Sequence, residues 1–143
     1  MSRYPLTDYI ETNKALFDAA EVLLKTITGL NVYKYAGSSV ENLFRELPSI
    51  ILPAAVLAYD RSTYYDDRQR RRVYFHILCV VRAPKNAWTE GMEPVSAIAT
   101  SVMAKLDGVL LAGNAFCTAY TDDVLDLGPS ISVIDVMFTV RDH

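Results

Sequence analysis

At 143 residues and 51% hydrophobic, the chain can bury one core and is too short for two ordinary domains, so residues 1–143 are read as a single α+β domain. A net charge of −3 argues against a dedicated nucleic-acid binder, yet the charge is uneven. Residues 1–106 carry 13 basic and 11 acidic side chains, whereas 107–143 carry Arg141 against Asp107, Asp122, Asp123, Asp126, Asp135 and Asp142.

The first residues, Met1-Ser-Arg-Tyr-Pro5, lead into a polar helix with no apolar core for a signal peptide, and no apolar run is long enough to span a bilayer. Between Thr7 and about Thr28, Glu11, Lys14, Asp18, Glu21 and Lys25 step by three and four residues. Ile10, Leu16, Phe17, Ala20, Leu23, Leu24 and Ile27 fill the other side, which predicts an amphipathic helix capped at Thr7 and closed by Gly29. Glu21 and Lys25 have the favoured four-residue spacing of an ion pair.

Leu30 to Tyr35 is a short β-type run, Gly37-Ser-Ser39 a break, and Val40 to Leu47 a short helix stopped before Pro48. Two apolar strands follow, Pro53-Ala-Ala-Val-Leu-Ala-Tyr59 and Val73-Tyr-Phe-His-Ile-Leu-Cys-Val-Val81. In the second, Val73, Phe75, Ile77, Cys79 and Val81 form a core face and Tyr74, Leu78 and Val80 leave the other face largely apolar, as in a central strand covered on both sides. Between them, residues 60–72 hold five arginines and three aspartates, a charged hairpin tip longer than a connector requires.

After a loop around Pro84 and Trp88, Val95, Ile98, Val102, Leu106 and Val109 predict a second long helix from Glu93-Pro94 to about Leu111, with Gly113 as its C-terminal cap. Ala115 to Tyr120 is β-like, residues 121–129 form an acidic turn, and Ser130 to Arg141 alternates as a strand with one wetter face carrying Asp135 and Thr139. The expected fold is α+β: a mainly antiparallel four- to five-stranded sheet, two long helices packed on one face, and a long charged hairpin tip. The apolar far face, with Tyr74, Leu78, Val80, Val133 and Met137, calls for a cover, and a neighbouring subunit is the simplest one.

No GxGxxG, GxxxxGK[ST], GxSxG, HExxH or EF-hand pattern occurs. Cys79 and Cys117 lie in apolar segments without CxxC spacing and read as buried hydrophobes of a reducing compartment. His76 has no sequence-near acid or nucleophile and reads as a structural imidazole. Asp122, Asp123 and Asp126 lack the glycine and terminal glutamate of a calcium loop. We therefore expect no catalytic residue, cofactor or metal. The arginines of the tip share it with Asp60, Asp66 and Asp67, which leaves a local charge of +2 and room only for incidental contact with DNA.

The amphipathic first helix, Asn31-Val-Tyr-Lys-Tyr35, Leu43-Phe-Arg-Glu-Leu-Pro48, the Pro53–Tyr59 strand, the arginine-ended tip, Phe75-His-Ile-Leu-Cys-Val-Val-Arg82 and the closing Ser132-Val-Ile-Asp-Val-Met-Phe-Thr-Val140 together resemble bacteriophage tail-terminator or tail-completion proteins of the Mu-like phage and prophage type. The resemblance is one of pattern over nearly the whole chain. It implies a hexameric ring at the head-proximal end of the tail, assembled in the bacterial cytoplasm, that ends tube polymerisation and offers the head-tail joining surface. Its implied partners are other copies of the chain, the tail tube protein, the head-tail connector and, non-specifically, DNA in the lumen; no membrane is involved.

A ring needs two different patches that meet between neighbours. The tip supplies Tyr64, Tyr65, Arg68, Arg70, Arg71 and Arg72, residue types favoured at interfaces, and the acidic turn supplies Asp122, Asp123 and Asp126. Within the structural class the alternatives are other neck, tube or baseplate components. Outside it, the alternative is a small enzyme or ligand-binding domain using His76 and Asp135 in a pocket between sheet and helices.

Overall fold

Helix α1 (Leu6–Leu24) starts one residue before the predicted cap and buries Leu16, Ala20 and Leu24, spaced by four so that they share one face. Its polar stripe works as spaced: Lys25 lies 3.7 Å from Glu21. The chain turns after Leu24 and is released at Gly29, whose φ of +78° suits a residue without Cβ. Strand β1 (Asn31–Tyr35) then runs beside the helix, and its Lys34 reaches Asp18 at 2.6 Å and Glu21 at 3.4 Å. Hydrogen bonds from Lys14 and Lys34 hold the Asp18 carboxyl down to about 2.

The computed structural model describes residues 6–35, 50–65, 70–83, 88–112, 115–125 and 130–141, with backbone alone at 6–13, 64, 65, 70 and 71. The remaining elements are β2 (Ala54–Tyr65), β3 (Arg70–Arg82), a π-helical turn (Trp88–Met92), α2 (Glu93–Leu106), β4 (Val109–Leu110), β5 (Phe116–Leu125) and β6 (Ile131–Arg141). They form one six-stranded sheet in the order β1-β2-β3-β6-β5-β4. β1 and β2 are parallel, every other neighbouring pair is antiparallel, and the sheet curls into a half-barrel.

This corrects the expected sandwich of four to five strands under two long helices: the molecule is mostly β, with one long helix and one short one. Three local causes account for the difference. α2 stops at Leu106, because Gly108 takes φ +79° and the next two residues leave as β4; the predicted cap Gly113 lies outside the described residues. In the charged stretch taken for a hairpin tip, residues 60–65 and 70–72 are strand, with Tyr64 opposite Arg71 and Tyr65 opposite Arg70, and residues 66–69 lie outside the described residues. Residues 121–125 of the predicted acidic turn likewise pair with β6, from Thr121 opposite Met137 to Leu125 opposite Val133. The predicted helix at 40–47 lies outside the described residues.

Both helices pack on the sheet face that carries Phe75, Ile77, Cys79, Val136, Phe138 and Val140. Val95, Ala99, Val102 and Leu106 are buried along α2, and the rings of Phe75 and Phe138 stack with centroids 5.6 Å apart. On the opposite face Val56, Leu78, Val80 and Val133 form a second cluster with Tyr33, Tyr35, Ile50, Leu52, Leu125 and Ile131 packed around it. The part of the far face around Val56, Leu78, Val80 and Val133 is thus buried within a single chain, without the neighbouring subunit expected to cover it. β6 is also drier than its alternation predicts, with Thr139 only 7% exposed.

Each outer hairpin strand carries one irregularity. The register shifts between Tyr59 and Arg61 in β2, and between Ala119 and Thr121 in β5. Tyr59, Phe75, Phe138 and Ala119 stand opposite one another across four strands, so both bulges lie on one row.

Candidate functional site

The two hairpins point in opposite directions. β3 pairs with β6 from Arg72 opposite Arg141 to Arg82 opposite Ile131, so the β2/β3 connection leaves one end of the sheet and the β5/β6 connection the other, about 33 Å apart. The arginine-rich segment and the acidic segment therefore do not meet within one molecule. β2 and β3 also continue beyond the Arg72–Arg141 pair, so Tyr64, Tyr65, Arg70 and Arg71 belong to a two-stranded arm extending past the end of β6. Arg68 and Asp126 lie outside the described residues.

At the base of the arm, the β2 bulge puts both Asp60 and Arg61 on the face away from the helices. The Arg61 guanidinium sits 4.9 Å above the Tyr74 ring and 3.1 Å from Asp60. Arg72 and Arg141, directly opposite each other, add to the positive charge of this end.

The acidic counterpart is a strand edge. β4 pairs only with Phe116 and Cys117, so from Thr118 to Leu125 the outer side of β5 borders no other strand among the described residues. Residues 119–124 are exposed, including Tyr120 and Val124 at 60% and 63%. Asp122 and Asp123 both lie in this run, and Asp123 stands opposite Asp135 of β6. Only at its start is the edge capped, where the backbone N–H of Ala119 donates to the Asp107 carboxylate at 2.8 Å. Tyr120 and Val124 went unnoticed in the sequence because the run Tyr120-Thr-Asp-Asp-Val124 has no apolar alternation.

His76 lies on the far face and is held from both sides. Its Nδ1 is 2.9 Å from both carboxylate oxygens of Asp135, and its Nε2 is 3.2 Å from Asp60. With two carboxylates as acceptors, both nitrogens donate and the ring is favoured as imidazolium; Asp135 raises its pKa, opposed by burial. Sequence spacing points to neither partner: Asp135 arrives from β6 by long-range pairing, and Asp60 is aimed by the bulge. His76 and Asp135 face away from the helices, so they do not line a pocket between sheet and helices as the enzyme alternative requires. A cavity of about 180 Å³ on the helix side is lined by Ile27, Thr28, Gly29, Leu30, Pro53, Ala97, Ile98 and Ser101, none of them titratable in the physiological range. Cys79 and Cys117 are buried thiols, each pushed up to about 12 by desolvation.

A solved virion contains a chain with this architecture. The structure is the virion of a native gene transfer agent (GTA) particle, and the likeness has a TM-score of 0.59 at 17% identity over 90% of this chain and 95% of that one. At that identity the match shows a shared fold. No family model and no curated protein matches the sequence.

Proposed function

We propose that the chain is a structural protein of a phage or phage-like particle, and that it forms a ring closing the head-proximal end of a tail tube. The observation behind the particle part of this reading is the likeness, over 90% of this chain, to a chain of a gene transfer agent virion. The chain's own geometry supports it: a basic arm and an acidic strand edge on one subunit, facing different ways, are the two unlike patches that a heterologous ring contact requires.

In this reading the ring ends tube growth, presents its other surface to the head-tail connector, and touches DNA only in passing through the lumen. The role is one of assembly rather than catalysis, set in the virion after assembly in the host cytoplasm. Native mass and negative-stain images of the purified chain, alone and with a tail tube protein, test it. Rings of uniform subunit number that bind tube ends are expected. A monomer at every concentration, with tube protein present, would overturn it. Binding to baseplate or along the tube wall instead would move the chain to another level of the tail.

A further inference from the structure

The open edges of the sheet have complementary shapes. β1 covers β2 only from Ala54 to Ala58, after which β2 runs on to Tyr65 with β3 as its sole strand neighbour among the described residues. At the other side, two-residue β4 covers the start of β5 and leaves residues 118–125 open. The stretch left by β1 (59–65) and the stretch left by β4 (118–125) are nearly equal in length and lie at opposite edges and towards opposite ends. Strand sense also matches: β2 and β6 run one way and β3 and β5 the other, so β5 of one copy set beside β2 of a like-oriented copy meets it antiparallel.

We propose that the β2/β3 arm of one copy adds, as an antiparallel strand, to the open β5 edge of the next. The inference rests on the ring reading above and names the contact that would close it. Charge favours this partner: the arm brings Arg61, Arg70, Arg71 and Arg72 towards Asp122 and Asp123, whereas arm against arm or edge against edge would set like charges together. Exposure favours it as well, because a long strand with one open edge and both faces wet is a template for another strand.

The offset between the two stretches is compatible with a closed ring. Along the strand axis, the centre of the arm and the centre of the open β5 stretch differ by about five residues, roughly 17 Å. The four strands β2, β3, β6 and β5 span roughly 19 Å at about 4.8 Å each. Pairing arm to edge thus calls for strands tilted by about 40° to the ring axis, within the range of closed β-barrels. In that arrangement Val109 of β4 lies next to Tyr65 at the end of the neighbour's β2, and Tyr35 of the neighbour's β1 lies next to Leu125 at the end of β5.

Cysteine pairing between copies tests the contact. Thr63→Cys in the arm and Thr121→Cys in β5 are both at exposed positions, and the buried native thiols give little background. Mixing the two variants under mild oxidation should give a covalent dimer at least tenfold above either variant alone. Mixed chains that assemble to native mass without that dimer would overturn the strand contact and leave the ring standing; a cross-link to tube protein instead would overturn it too. Monomers under all conditions would remove both. As a second arm, Asp122→Arg with Asp123→Arg, and separately Arg70→Asp with Arg71→Asp, should each abolish assembly, and mixing the two should restore it. Assembly unchanged in both would sink the proposal, and recovery on mixing shows that each variant folds.

Discussion

His76 shows how much of one side chain's behaviour is decided by residues far away in sequence. Held between Asp60 and Asp135, with Arg61, Tyr74 and Asp123 on the same face, it binds its proton more tightly folded than unfolded. Stability from the clamp is therefore fully present below the ordinary histidine value of 6.5 and is lost as pH rises through the raised folded value. Asp135→Asn should flatten that dependence, lowering stability on the acid side by about 1.5–3 kcal/mol less whatever relief Asp123 gains, and little on the alkaline side. Urea unfolding across the series reads it; a wild-type profile with no fall above 6.5 would show that the clamp adds nothing.

Elements were legible where one period dominates. α1 and the central β3 announce themselves through the spacing of Leu16, Ala20 and Leu24, and through Val73, Phe75, Ile77, Cys79 and Val81, because each set faces a single environment. The outer half of β5 does not, because a strand wet on both faces has no reason to alternate, and at residues 60–63 of β2 the charged composition serves a loop equally well. The end of α2 was misplaced because Gly108 stops the helix before its apolar spacing runs out. The aromatic row is the element most exposed to a single change: Phe75 stacks on Phe138 and lies 5.7 Å from Phe17, so Phe75→Ala should cost about 3–5 kcal/mol. Guanidinium unfolding with an unchanged slope would register that loss, and a cost below about 1 kcal/mol would mean that the row repacks.

For the whole molecule, the candidate site was readable as charge but not as shape. The arginines of 60–72 and the aspartates of 121–126 mark the segments of the proposed contact, while their separation to opposite ends follows only from strand order. An assembly held by opposite charge should weaken with salt, whereas backbone strand pairing should not. Mass measured from about 0.05 to 1 M salt is expected to show partial, not complete, loss of rings, since exposed pairs are screened within about 3 Å at the upper end. Complete dissociation at modest salt would assign the contact to side-chain charge alone.

The two bulges on the Tyr59–Phe75–Phe138–Ala119 row act as a parity mark. Each adds one residue to an outer strand, so every position beyond it has swapped its odd or even place relative to the central strands. Deleting Asp60 would leave Arg61 opposite Tyr74 and take one carboxylate from His76, and deleting Tyr120 would leave Thr121 opposite Met137 with Asp122 and Asp123 on their present faces. Length at these two points can therefore vary by the single bulged residue, and a homologue is expected to keep the faces of Arg61 and Asp123 whether or not it carries that residue.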